Sequence, residues 1–175
     1  PRRLLAGDEA RLTDRNISAL AVDGAGKLWV GYFDRGLDIL EPAGGRALHL
    51  ENERLFCINR VVGDEPRGLV AVGTANGLVL MDPAGREREV LGREQGLIAS
   101  HVTDIALIPG GMALATPAGI TFLDASGARS LYAFHGLVNN HVYALAAYGG
   151  RLLAGTLGGL SLLEDGVVRA SYTTS

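Results

Sequence analysis

Four copies of one phrase, about forty residues apart, limit what this chain can fold into. Gly31-Tyr32-Phe33-Asp34-Arg35-Gly36-Leu37 returns as Gly73-Thr74-Ala75-Asn76-Gly77-Leu78, as Ala115-Thr116-Pro117-Ala118-Gly119-Ile120 and as Gly155-Thr156-Leu157-Gly158-Gly159-Leu160. The second glycine of each copy stands at 36, 77, 119 and 159, giving steps of 41, 42 and 40 residues. Self-similarity at such a period means stacked or radially arranged units, each too small to bury a core alone.

Each phrase sits inside a longer repeat of four short strands. An apolar segment comes first: Ile17 to Val22, Ile58 to Val62, Val102 to Leu107, Val142 to Leu145. A glycine-bearing turn and a second strand follow, then the phrase, then a third strand running from Leu37, Leu78, Ile120 or Leu160. A polar turn such as Asp82-Pro83-Ala84-Gly85 leads to a fourth, more polar strand: Arg46 to Leu50, Glu87 to Leu91, Arg129 to Ala133, Val168 to Tyr172. Short apolar or alternating runs separated by Gly, Pro, Asn and Asp are the pattern of antiparallel hairpins. No stretch between turns holds ten residues of helical amphipathicity, which excludes leucine-rich and helical repeats. A four-stranded unit of this length is a propeller blade.

The expected fold is therefore all-β: a β-propeller of four consecutive four-stranded antiparallel blades of about 41 residues, part of a larger propeller. The blades are placed at 16–52, 53–95, 96–135 and 136–175. Setting Asn16 against His101 aligns Leu12 with Leu97, so residues 1–15 read as the outer strand and loop of a preceding blade. In each blade the innermost strand should be small, apolar and continuous, a role that Leu20, Val22, Ile105 and Leu145 fit. Terminal blades with open apolar faces need covering. Other blades of the same protein or a second copy would close the ring.

Composition bounds the partners. A net charge of −3 with no basic run argues against a nucleic-acid surface. No apolar stretch approaches the roughly 18 residues of a membrane span, so direct membrane insertion is not expected. The single Cys57 cannot form an intramolecular disulfide and says nothing of redox compartment. The chain starts at Pro1 with no signal-like segment and reads as a mature or excised piece.

The richest copy runs Asn16-Ile17-Ser18-Ala19-Leu20-Ala21-Val22-Asp23-Gly24-Ala25-Gly26-Lys27-Leu28-Trp29-Val30-Gly31 and continues through Gly36-Leu37. It resembles the repeat of two-component-regulator propellers, the sensor domains at the front of many bacterial hybrid histidine kinases. Gly96-Leu97 and Gly136-Leu137 look like that family's inter-blade Gly-Leu loop, and Gly73-Thr74 and Gly155-Thr156 like its Gly-Thr pair. The other three blades lack the Trp and shorten or replace the Asp-x-x-Gly turn. The resemblance implies a sensory role in signal transduction and a periplasmic or extracytoplasmic location.

His101 and His141 hold matching positions before the inner strands of neighbouring blades, with Asn16 and Cys57 in the same place elsewhere. Propellers bind ligands at this axial rim, which makes Asn16, Cys57, His101, Asn140 and His141 the candidate ligand-binding residues. The plainer reading is that Asn and His side chains there satisfy turn backbone. No third carboxylate or His repeats at the rim, so neither a metal nor another cofactor is expected. Asp23-Gly24-Ala25-Gly26 lacks the alternating acids of a calcium loop and reads as a hairpin turn. Trp29 reads as core packing between blades. No nucleophile elbow or Cys-His arrangement points to catalysis.

The leading functional expectation is a non-enzymatic ligand-recognition or sensory propeller domain presenting a small-molecule or glycan site on its axial face. A protein-protein interaction scaffold is the second reading. A propeller lyase or hydrolase, with site residues partly in other blades, is the third.

Overall fold

A computed structural model describes residues 12–41 and 48–174. Each group of four consecutive strands forms one antiparallel sheet whose spatial order follows chain order. The first sheet holds β1 (Ile17–Val22), β2 (Leu28–Tyr32), β3 (Leu37–Leu40) and β4 (Leu48–Leu50). The second holds β5 (Ile58–Asp64), β6 (Leu69–Thr74), β7 (Gly77–Met81) and β8 (Glu87–Leu91). The third holds β9 (Asp104–Ile108), β10 (Gly111–Thr116), β11 (Gly119–Asp124) and β12 (Gly127–Leu131). The fourth holds β13 (Val142–Tyr148), β14 (Arg151–Thr156), β15 (Gly159–Glu164) and β16 (Val167–Tyr172). These are the four-stranded blades expected from the repeat. The turn of the first sheet between Glu41 and Leu48, and the strand expected around Leu4-Leu5, lie outside the described residues.

The chain divides into two compact units, Pro1–Val90 and Leu91–Ser175. In the first, Trp29, Leu37, Ile39, Ile58, Val61 and Val72 form a shared core between the two sheets. In the second, Ala113, Ile120, Phe122, Leu137, Val142 and Leu163 do the same. Trp29 is fully buried, and its indole Nε1 donates to Asp23 Oδ2 at 2.9 Å. Asp23 Oδ1 accepts from the backbone N–H groups of Ala25 and Lys27. The Asp-Gly-Ala-Gly segment is thus a hairpin turn pinned by its own carboxylate, and it satisfies the buried indole as well.

The first inner strand β1 is apolar and continuous as expected, but it turns its smaller side chains to the core. Leu20 and Val22 are 57% and 62% exposed. Side chains on a strand alternate between faces, and it is Ala19 and Ala21, one residue out of phase, that pack into the first unit's core. Leu20 and Val22 occupy the other face. Ile105 is buried and Leu145 half-buried in the second unit, as expected.

The second glycine of the repeated phrase closes the turn between the second and third strands of every sheet. At Gly36 and Gly119 the backbone has φ of 61° and 139°. A Cβ there would meet the carbonyl oxygen of Leu50 at 2.0 Å and of Leu131 at 2.4 Å. The fourth strand therefore runs so close that only glycine fits, whatever the turn conformation. In three sheets the threonine of the phrase staples the same turn: Thr74, Thr116 and Thr156 Oγ1 donate to the carbonyls of Gly77, Gly119 and Gly159. The first sheet has Tyr32 in that place, and its hydroxyl goes elsewhere.

Candidate functional site

A polar residue in the third strand holds the loop that enters three of the sheets. Ile98 N–H donates to Thr121 Oγ1 at 3.0 Å, and Val138 N–H donates to Ser161 Oγ at 3.1 Å. The corresponding bond in the first sheet runs from Thr13 N–H to Asp38 Oδ2 at 2.8 Å. The second sheet has Val79 at this position and has no such acceptor. A hydroxyl suffices for the latch, so a carboxylate in the first sheet calls for more partners.

Asp38 has them. Its side chain is fully buried, and Tyr32 Oη donates to Oδ2 at 2.6 Å. Thr13 Oγ1 donates to Oδ1 at 2.8 Å, and His49 Nδ1 lies 2.8 Å from the same oxygen. His49 stands opposite Asp38 in the β3–β4 ladder, at the place that Ser130 fills in the third sheet. Its neighbours Leu48 and Leu50 point the other way, toward Gly85 of the second sheet. His49 Nε2 reaches Glu51 Oε2 at 3.0 Å, and Arg35 Nε lies 3.5 Å from that oxygen. A continuous line therefore runs from the buried carboxylate through an imidazole to a surface carboxylate and a guanidinium.

Electrostatics follow from this line. Burial disfavours the Asp38 anion, but hydrogen bonds from Tyr32, Thr13 and His49 outweigh it and hold the carboxyl below its usual range. For His49, burial opposes protonation, and the facing carboxylates of Glu51 and Asp38 overcome it and raise its pKa. Burial, reinforced by the Asp38 hydrogen bond and charge, pushes the Tyr32 phenol upward.

Glu51 also forms part of a pocket of about 510 Å³ at the loop end of the first unit. Asp34 and Gly36 from the β2–β3 turn, Asn52 and Glu53 from the β4–β5 loop, Phe56, and Asn76 from the β6–β7 turn line it. The loop is fixed locally. Asn52 Oδ1 accepts from Arg54 and Leu55 N–H, its Nδ2 donates to Glu87, and Asn76 Nδ2 donates to the Glu53 carbonyl at 2.8 Å. Leu55 is buried beneath, whereas Phe56 is 49% exposed at the pocket wall. Such a pocket offers carboxylates, amides and one apolar face to a small polar molecule. A second cavity, of about 450 Å³, lies among the hairpin turns of the second unit. There Arg129 stacks over Phe122 at 4.6 Å, with Tyr148 and Arg151 on its lining.

The five rim residues fare unequally. Asn16 and His101 are exposed. Cys57 is buried at a positive φ of 53°, and burial pushes its thiol pKa up. Asn140 Oδ1 accepts from Ala133 N–H at 2.7 Å, which engages it in turn backbone. His141 is half-buried and stacks on Tyr143 with centroids 4.4 Å apart. Of the five, only Cys57 adjoins the first-unit pocket, through Phe56. Among the described residues, no group of three or more His, Cys, Asp or Glu is arranged to hold a metal ion. The Asp38–His49–Glu51 line escaped the sequence reading because Asp38 meets His49 only through the β3–β4 pairing, not through a contiguous motif. The signal was present as departures from the repeat: Tyr32 for Thr, Asp38 for Thr or Ser, His49 for Ser.

The sequence matches no protein-family model and no curated protein. Solved structures supply the likeness. The fold is similar to that of an extracellular domain assigned to the hybrid two component system BT3049 of B. thetaiotaomicron, with TM-score 0.77 and 23% identity over 95% of this chain and 26% of that one. An extracellular domain assigned to BT4673 of the same organism gives TM-score 0.76 and 15% identity over 94% of this chain and 26% of that one. The computationally designed Ika4 protein is matched along its whole length, with TM-score 0.65 and 16% identity over 98% of this chain. This chain has the β-propeller fold. It spans about a quarter of the length of the two bacterial domains.

Proposed function

We propose that the chain is a recognition segment of an extracytoplasmic sensory propeller, non-enzymatic, binding a small polar molecule in the loop-end pocket of its first unit. The observation that carries this reading is the coincidence of two features. The residues that break the repeat converge on Asp38, and their line ends at Glu51 in the wall of the pocket. The likeness to extracellular domains assigned to two-component systems supports the sensory and extracytoplasmic parts. Glu53 and Asn76 are the residues expected to meet the ligand, because both line the pocket and neither belongs to the buried network.

A screen of small polar metabolites and short glycans by thermal shift tests the reading. A hit should lose at least tenfold in affinity on Asn76→Ala or Glu53→Gln, with the ligand-free melting point nearly constant for Glu53→Gln and somewhat lower for Asn76→Ala, which also gives up the bond to the Glu53 carbonyl. A hit whose affinity both variants leave intact would place binding elsewhere. Use as a protein-interaction scaffold is the second reading, favoured by Phe134, which is 86% exposed in the β12–β13 loop beside Tyr132 and His135.

A further inference from the structure

The two nitrogens of His49 face two carboxylates: Nδ1 at 2.8 Å from Asp38 and Nε2 at 3.0 Å from Glu51. An ionised carboxylate only accepts hydrogen bonds, and a neutral imidazole has one donor and one lone pair. Only the imidazolium satisfies both contacts. We propose that His49 is a proton-binding switch in which the bound proton ties the pocket residue Glu51 to the buried Asp38, so that the pocket wall responds to ambient pH.

The two halves of the bridge are unequal. Asp38 is fully buried and belongs to a network with Tyr32 and Thr13, so its charge is weakly screened and holds the Nδ1 proton. Glu51 is exposed and shares Arg35. Loss of the proton therefore empties Nε2, whose lone pair then opposes the Glu51 carboxylate. Glu51 swings free toward Arg35, and the pocket gains negative charge no longer balanced by His49. Among the described residues, the groups in direct contact with His49 are Asp38 from β3, Glu51 from the end of β4 and the Thr13 hydroxyl, 3.1 Å from Nδ1, with Tyr32 of β2 beyond Asp38. The β2–β3 turn adds Arg35 with Asp34, and in the entering segment Asp14 and Arg15 flank the neutral Thr13. The raised pKa of His49 has the sign this geometry requires.

This inference rests on the pocket reading only for its consequence, and its test needs no ligand. Ring ¹⁵N shifts of His49 are followed through a pH titration of the labelled chain, together with the backbone amides of Glu51, Asn52 and Glu53. The expected result is a His49 midpoint above the ordinary value near 6.5, with the three amides moving at that same midpoint. Glu51→Gln, a surface change, should lower the midpoint, and His49→Gln should remove the amide transition. Three results would each overturn the proposal: a midpoint at or below the ordinary value, a midpoint that Glu51→Gln leaves unchanged, or amides that do not follow His49. Failure to find any ligand would retire the pocket reading and leave these outcomes untouched.

Discussion

Asp38 shows how one residue changes the use of a repeated position. Thr121 and Ser161 do the same latching work with one hydroxyl each, whereas Asp38 places a charge inside the sheet and recruits Tyr32, Thr13 and His49 to hold it. Removing the acceptor orphans the buried Tyr32 hydroxyl, while the exposed Thr13 and His49 can turn to water, so Asp38→Ala should cost about 2 kcal/mol. Thr121→Val, which orphans a single backbone N–H, should cost about 1 kcal/mol. Denaturant midpoints decide between them. The pH dependence has two limbs. The depressed Asp38 contributes stability that is present above its ordinary value of 3.8 and is lost as pH falls through its lowered one. The raised His49 contributes stability that is full below 6.5 and is lost as pH rises through its raised value. The fluorescence of Trp29, the single tryptophan, reports unfolding of the first unit. His49→Gln should flatten the alkaline limb of that melt profile and leave the acid limb standing.

At the scale of the strand and turn, most of the architecture was legible and the reason is local. Gly, Pro, Asn and Asp bound every hairpin, and period-two runs fill the strands between them, so the four sheets and nearly all their edges could be read directly. Phase was harder. An apolar inner strand was legible, but not which of its faces packs inward: register turns Ala19 and Ala21 into the core and leaves Leu20 and Val22 outside. The Gly-Leu loops also hold more than turn chemistry. Short 3-10 turns over Arg93–Gln95 and Ala133–His135 end at Gly96 and Gly136 in left-handed conformation, and Leu97 and Leu137 then drop into the core. The close approach at Gly119 gives a paired prediction. Gly119→Ala must push the Leu131 carbonyl away, whereas Gly110→Ala, with φ of 77° and open space around its Cβ, costs only backbone strain. That strain is about 1–2 kcal/mol, and Gly119→Ala should exceed it clearly in equilibrium unfolding.

For the molecule as a whole, repetition explains the fold, and its interruption marks the site proposed here for recognition. The repeat drew attention to the axial rim, where Asn16, Cys57, His101 and His141 hold matching positions and Asn140 stands beside His141. In the structure Asn140 accepts from the Ala133 N–H and Cys57 is buried, and a dense polar network lies in the first unit. In sequence that chemistry shows only as departures from the repeat, because Tyr32, Asp38, His49 and Glu51 meet through strand pairing and not through a motif. The central claim is that recognition belongs to the loop end of the first unit. Amide chemical-shift mapping of the labelled chain against a confirmed binder tests it most directly. Shifts confined to Asp34, Glu51, Asn52, Glu53, Phe56 and Asn76 are the predicted result. Shifts centred on Arg129, Tyr148 and Arg151, with the first unit silent, would contradict it.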